Sequence, residues 1–397
     1  MAINKEQNKL NVPHLRFPEF HGEWEEHGLS EYLDFKNGLN PDSKRFGKGI
    51  KFISVMDILN NPVITYDCIR ASVQATDAEM SSFSVENGDI LFQRSSETLE
   101  DVGRANVYID DKVAVFGGFV IRGKKKANYN PLFFRYLLSS PYARKRIIPM
   151  GAGAQHFNIG QEGLSKVLLN FPSIEEQTKI ASLLHLLDER IATQSKLIEK
   201  LESLIKGIVD CTILRKEKNA IVGDVCSISE QIRAEANIDD IITVRLHGNG
   251  VCKSSAENLQ LGATQYYRRR AGQLIYGKQN FHNGAIGIVP ISLDNGITSK
   301  DIPSFDIDEM KCNSVYLLAQ LQSPQYYKPA EALTTGTGSK RLKEETFLKL
   351  PIVLPNKREQ DNIAVLIHRA SMNLDHAKRL LELLSIQKQF LLRQMFI

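Results

Sequence analysis

Cysteine is scarce and scattered. The five in 397 residues, Cys68, Cys211, Cys226, Cys252 and Cys312, show no CxxC or CxxH spacing, which argues against a disulfide framework and a cysteine-ligated zinc site and suits a reducing compartment. No apolar run reaches 18 residues, and the opening MAINKEQNKL is polar throughout. Neither a membrane span nor a signal peptide is therefore expected, and the chain is assigned to the cytoplasm with no membrane partner. An excess of charge is also missing. The net charge of +4 is too small to indicate nucleic acid by itself, so any basic surface must come from clustering. Catalytic signatures are absent too: there is no GxGxxG, GxxxxGK[ST], HExxH or GxSxG, and no Asn-Pro-Pro-aromatic tetrapeptide of the kind an amino-methyltransferase uses. Asp294, Glu309 and Lys311 have the side-chain types of a metal-dependent nuclease, but the first half of the chain has no counterpart to them.

What is present is a long internal repeat. The stretch from Pro172 to Leu214 returns from Pro355 to Ile397 without a gap. Glu176-Gln177 matches Glu359-Gln360, Ile180-Ala181 matches Ile363-Ala364, and His185, Glu199 and Leu201 match His368, Glu382 and Leu384, all at an offset of 183 residues. Ser140-Pro141 and Ser323-Pro324 extend the match upstream. Within each copy, apolar residues recur at three-four spacing: Ile180, Leu183/Leu184, Leu187, Ile191, Leu197/Ile198, Leu201, Leu204/Ile205 and Ile208, interrupted at Gln194. The second copy holds Ile363, Leu366/Ile367, Ala370, Leu374, Ala377, Leu380/Leu381, Leu384 and Leu391. This is a heptad stripe. The prolines and the acidic residues that follow mark helix starts. A helix of some 40 residues would be roughly 60 Å long and needs a partner for its stripe; the chain supplies one equivalent helix. Parallel packing would force the intervening segment to cross the whole pair, so an antiparallel pair is expected.

The segments before each helix read as α+β heads. In the first, apolar runs at 50–55, 85–92, 105–109 and 113–121 alternate with Gly, Asn and Asp turns and look like strands. A helical pattern follows at 131–148, then a glycine loop at 151–159 and a last strand near 167–171. The second head repeats the plan with other side chains: 271–276 corresponds to 87–92, and the loop at 334–342 to 151–159. The expected division is 1–172 and 219–355 for the heads, with 173–218 and 356–397 as spacer helices.

The loops concentrate Lys, Arg, Gln, Asn and His, which suit phosphates and base edges. In the first head the candidates are Lys44, Arg45, Arg94, Ser95, Lys124, Lys125, Arg144, Arg146, Gln155, His156 and Asn158. In the second they are Arg269, Lys278, Asn280, His282, Asn283, Ser339, Lys340 and Arg341. No catalytic or metal-ligating residue is assigned.

The opening LRFPEFHGEWEE, the glycine loop about a dozen residues before a Phe/Leu-Pro, the EEQxxIAxLL helix start and the repetition of the unit together resemble the DNA-specificity subunit of type I restriction-modification systems. The resemblance covers essentially the whole chain and lies in the order of parts. It implies an α+β protein with two pseudo-repeated α/β target-recognition domains separated by two long helices in an antiparallel coiled coil. It also implies a non-catalytic subunit that reads a bipartite, asymmetric site on double-stranded DNA. Two methyltransferase subunits would dock on the helices, on faces bearing residues such as Glu189, Arg190, Lys196, Arg369 and Lys378, and restriction subunits would join through them. S-adenosylmethionine, ATP and magnesium belong to those partners, leaving this chain without a cofactor. Two other readings stay open: a stand-alone metal-dependent nuclease, and a coiled-coil adaptor that does not bind DNA.

Overall fold

Two prolines set where the long helices begin. The first runs Ile174–Val209, two residues after Pro172, and continues into a π turn at Asp210–Leu214; the second runs Lys357–Gln394, two residues after Pro355. Glu175 and Glu176 stand in the first turn of one and Glu359 in that of the other, where carboxylates meet the positive end of the helix dipole. The fold is described from a computed structural model for residues 11–254, 264–336 and 340–397. Within them the structure separates into two compact units, one formed by residues up to Gln194 together with Leu380–Ile397, the other by Ser195–Arg379.

Both long helices contribute to both units, and they pack together. In the first unit Ile180, Ala181, Leu184 and Leu187 share one core with Leu384, Leu391, Met395 and Phe396. In the second, Val209 and Ile213 share a core with Ile363, Ala364 and Ile367. The start of each helix therefore lies against the end of the other, which is antiparallel. Burial picks one member of each apolar doublet: Leu184 is fully buried while Leu183 is 37% exposed, and Leu197 and Leu204 are 44% and 52% exposed. Neighbouring residues on a helix point about 100° apart, so both cannot occupy one seam.

The first head contains two four-stranded sheets. One has the order Leu33–Asn37, Val120–Lys125, Ile90–Gln93, Ala105–Val107, all antiparallel. The other has the order Ala71–Val73, Phe46–Ile53, Ala114–Phe116, Ser84–Val85, with a parallel pairing at its centre. The run 113–121 that reads as one strand is two, broken at Gly117-Gly118 and divided between the sheets. Glu25–Gly28 pairs with Leu168–Phe171 and clasps the two ends of the head together. In the second head Leu274–Tyr276 holds the central place that Ile90–Gln93 holds in the first, flanked by Ser304–Ile307 and Ile286–Ile288, with Cys226–Ile228 at the edge. Ala220–Ile221 with Pro351–Ile352 makes the equivalent clasp.

The repeat extends to individual hydrogen bonds. Asn130 caps the helix Pro131–Ser139 and donates its backbone N–H to Gln177 Oε1 at 3.1 Å, while Gln177 Nε2–H donates to Pro172 O at 3.0 Å. In the second head Asn313 caps Ser314–Leu321 and donates to Gln360 Oε1 at 2.9 Å, and Gln360 donates to Pro355 O at 2.8 Å. Gln177 and Gln360 are 3% and 0% exposed. A buried amide that satisfies both its donor and its acceptor side fixes each head on the start of its long helix.

Candidate nucleic-acid interface

In each head the glycine loop closes into a bracket. An isolated bridge joins Ala152 to Asn158 in the first and Thr335 to Arg341 in the second, both pairs again 183 apart in sequence. Gly153 has φ +141°, and a Cβ there would meet His156 O at 2.0 Å. Only glycine lets the two sides of the bracket come that close. Each bracket then docks on the strand that leaves the head's central sheet. Ile159 N–H donates to Arg94 O at 2.9 Å, and Leu342 N–H donates to Lys278 O at 2.9 Å. Arg94 and Lys278 are thus structural counterparts, as the alignment of 87–92 with 271–276 carried two residues further already places them.

The first bracket gathers five of the expected residues. Phe157–Asn158 pairs with Ser95–Ser96, the Ser95 hydroxyl donates to Asn158 Oδ1, and Gln155 and His156 are exposed at the tip. Arg94 lies beneath, one Nη1–H on Gly118 O at 3.2 Å. The side chains present a cation, two amides, a hydroxyl and an imidazole with no carboxylate bonded to them. In the second head every cation at the bracket carries a partner: Lys278 with Glu344 at 2.7 Å, Lys340 with Glu331 at 3.0 Å and Arg341 with Asp301 at 3.2 Å. Lys340 draws the Glu331 carboxyl below its ordinary range. Asn280, His282 and Asn283 occupy a neighbouring turn, where Asn283 donates to Asn280 Oδ1 at 3.3 Å. Ser339 lies outside the described residues.

Other candidates lie elsewhere, and four arginines are engaged within the protein itself. Arg269 is fully buried, bonded to Thr298 Oγ1 at 2.7 Å, Ser304 Oγ at 2.9 Å and Ile302 O at 2.9 Å, and burial pushes its pKa down to about 10. It is framework. Arg144 donates to Glu100 O at 2.9 Å and Val102 O at 2.6 Å, and burial, with Arg104 nearby, pushes it down to about 10 as well. Arg45 is held by Gln74 O at 2.8 Å and by the Glu79 carboxylate, which it draws down to about 2. Arg146 stacks on its own helix neighbour Tyr142, 3.9 Å from the ring centroid. Lys124 pairs with Glu86 at 3.1 Å and Lys125 bonds Tyr129 O at 3.2 Å. They sit at the end of strand Val120–Lys125 remote from Arg94, because Val120 is the residue that faces Gln93. Lys44 is exposed at the foot of strand Phe46–Ile53. Charge runs do not reveal their partners; those lie far along the chain.

Asp294, Glu309 and Lys311 do not converge. Asp294 accepts from Ala271 N at 2.8 Å, Glu309 from Ser314 N at 3.4 Å, and Lys311 pairs with Asp308 at 3.2 Å. Among the described residues no group of three or more His, Cys, Asp or Glu could hold a metal ion, and no helix is long and apolar enough to cross a membrane. Sequence reasoning missed the exposed apolar rim beside Arg94, formed by Phe119, Met56 and Phe46, because Phe119 falls in a run that reads as a buried strand and Phe46 and Met56 lie just outside another.

Comparison with known proteins agrees with the repeat. Residues 21–203 match the type I restriction modification DNA specificity domain. A curated relative from Methanocaldococcus jannaschii, named provisionally as the type I restriction enzyme MjaX specificity subunit, is 24% identical over 214 residues, covering 53% of this chain and 49% of its own. The matched stretch is thus about half the length of that relative. The crystal structure of a type I restriction-modification system S subunit from M. genitalium superposes over 97% of this chain and 99% of its own, with a TM-score of 0.65 at 14% identity, a likeness of fold. Residues 21–203 thus carry the type I restriction modification DNA specificity domain, and the two heads with their paired helices give the chain the fold of a type I restriction-modification S subunit.

Proposed function

We propose that this chain is the non-catalytic specificity subunit of a type I restriction-modification enzyme, reading a bipartite, asymmetric site on double-stranded DNA. Segments 1–172 and 219–355 act as target-recognition domains, each reading one half-site. Segments 173–218 and 356–397 act as the spacer and as the platform for two methyltransferase subunits, through which restriction subunits join. S-adenosylmethionine is bound by the methyltransferase, ATP and magnesium by the partners, and the assembly works on DNA in the cytoplasm.

The observation that carries this reading is the pair of brackets at an offset of 183 residues with different side chains on the same backbone: Asn158 against Arg341, Arg94 against Lys278. One scaffold bearing two unlike sets of hydrogen-bonding groups suits two unlike short sequences. Apolar residues off the seam favour partner docking on the helices. Leu186, Leu366, Leu383, Ile386 and Phe390 are 53–61% exposed, large apolar side chains that a docked partner would cover.

The test is to express the chain with its neighbouring methyltransferase and map adenine methylation by single-molecule sequencing. A bipartite motif with a fixed gap is expected. A stable complex that methylates no defined motif would overturn the reading and favour the adaptor; metal-dependent cleavage by the purified chain alone, lost in Glu309→Gln, would favour the nuclease.

A further inference from the structure

Beside Arg94 the first head carries a groove of about 420 Å³ walled by Leu39, Pro41, Phe46, Phe52, Met56 and Phe119. Its rim is strongly exposed for apolar side chains: Phe119 69%, Met56 61% and Phe46 43%. The rim is also held in place. A Cβ on Gly117 would meet the Phe52 ring at 2.7 Å and one on Gly118 would meet Asn40 Oδ1 at 1.8 Å, so a side chain at either position would have to displace the Phe52 ring or the Asn40 amide. Arg94 clamps the same turn, its backbone N–H on Phe119 O at 2.9 Å and its guanidinium on Gly118 O at 3.2 Å. Ser95, which bonds Asn158 of the bracket, lines the groove as well. An aromatic ring is thus presented to solvent by a fixed turn, continuous with the polar groups that face the proposed DNA, and the strand that carries Phe46 also carries the exposed Lys48.

An apolar group in that position needs an apolar feature on the ligand. Deoxyribose carbons and base faces offer apolar contact but little sequence information, and the minor groove carries no methyl group. In the major groove of unmodified DNA the apolar feature that distinguishes one base from the others is the C5-methyl of thymine, which Phe contacts well. We propose that the Phe119 groove reads a thymine methyl next to the base pair addressed by Arg94, making Phe119 and Met56 specificity-determining residues of the first half-site. This rests on the DNA-reading assignment of the first head. Burying one methyl changes binding about three- to fivefold.

The test uses the full chain in complex with its methyltransferase. Once the bipartite motif is mapped, each thymine of the half-site that responds to Arg94→Ala is replaced by deoxyuridine in a synthetic duplex, and binding is measured by competition. The wild type should lose about three- to fivefold at one or two positions. Phe119→Ala should bind thymine and deoxyuridine duplexes equally, and Met56→Ser should lose part of the difference. The inference is overturned by a half-site without thymine on either strand, by indifference of the wild type to deoxyuridine, or by Phe119→Ala weakening all duplexes alike, as a wedge between bases would. It is also overturned if Phe119→Ala impairs assembly with the methyltransferase and leaves the thymine preference intact. A complex with no mapped motif defeats the specificity reading itself; a mapped motif with deoxyuridine indifference defeats this inference alone.

Discussion

Asp188 ties three elements of the first unit together, and its removal has a calculable cost. Its carboxylate accepts from Lys388 at 2.5 Å on the C-terminal helix, and from Arg135 at 3.1 Å and Tyr136 OH at 2.9 Å on the head helix. Its side chain is 14% exposed, against 15% for Arg135 and 26% for Lys388. Asp188→Ala leaves two half-desolvated cations facing each other and a phenol without its acceptor. Breaking a fully buried pair costs about 3–5 kcal/mol; the partial exposure of Lys388 reduces that, and the Tyr136 bond adds about 1 kcal/mol. We expect about 3 kcal/mol in all, which for a unit of this size lowers Tm by roughly 6–12 °C. The assay is built into the chain. Trp24 is the only tryptophan, 2% exposed, and packs edge-on against Phe396 at 6.4 Å, so its fluorescence in urea follows the first unit alone. Lys388→Met should cost clearly less, about 1 kcal/mol, since Asp188 keeps Arg135. The reasoning is refuted if Asp188→Ala shifts stability by less than about 0.5 kcal/mol, or if Lys388→Met costs as much. Acid gives an independent check. Burial alone would push the Asp188 carboxyl up, but Lys388, Arg135 and Tyr136 outweigh it and hold the group below its ordinary value. A carboxyl depressed in the folded state contributes stability above its unfolded pKa of about 3.9 and loses it as pH falls through the folded value. Asp188→Asn should therefore flatten the acid limb of the Trp24 transition below about pH 4.

Arg94→Ala should cost about 1–3 kcal/mol at the first half-site and leave the second intact, read from the methylated motif; equal relaxation of both would contradict independent heads. Lys340→Ala and Arg341→Ala should act only on the second half-site and more weakly, because Glu331 and Asp301 already neutralise them. Arg269→Met should destabilise the second unit by about 2–4 kcal/mol through the polar atoms it strands, seen as faster proteolysis within Ser195–Arg379. Arg269→Lys should not rescue it, since an ammonium cannot span three partners. Removing Met395, Phe396 and Ile397 should cost about 3–5 kcal/mol in the first unit and red-shift Trp24 emission, because Phe396 covers both Trp24 and Phe133, with ring centroids at 6.4 and 5.7 Å. Unchanged emission would show that the helix end does not close that core.

The paired helices were legible because their information is local: a heptad stripe, a proline and acidic residues at the start, all stated twice. Gln177 and Gln360 could be aligned from the sequence, but what they do could not, since each bonds a cap residue 47 positions upstream. The two halves of a bracket, Ala152 and Asn158, lie close together in the chain and their glycines announced a loop; its docking on Arg94 depends on a strand some sixty residues earlier. Charge was the least legible signal. Arg45 and Glu79 are 34 residues apart and Arg144 reaches back 42 residues to Val102, so a basic run read in isolation looks free when it is spoken for. Phe119 was hidden for the opposite reason: the apolar run 113–121 reads as one continuous strand, but the strand breaks at Gly117-Gly118 and Phe119 lies in the gap, 69% exposed.

The first unit is interrupted in sequence, and that has a consequence for synthesis. Leu384, Leu391 and Phe396 belong to the core around Trp24 and Phe133, yet they leave the ribosome only after all of Ser195–Arg379. The second unit can thus finish folding while the first still has an open apolar wall. During translation the head made first is the head completed last, and a nascent chain halted between Arg379 and Leu384 would have all of the second unit but not the helix end that closes the first.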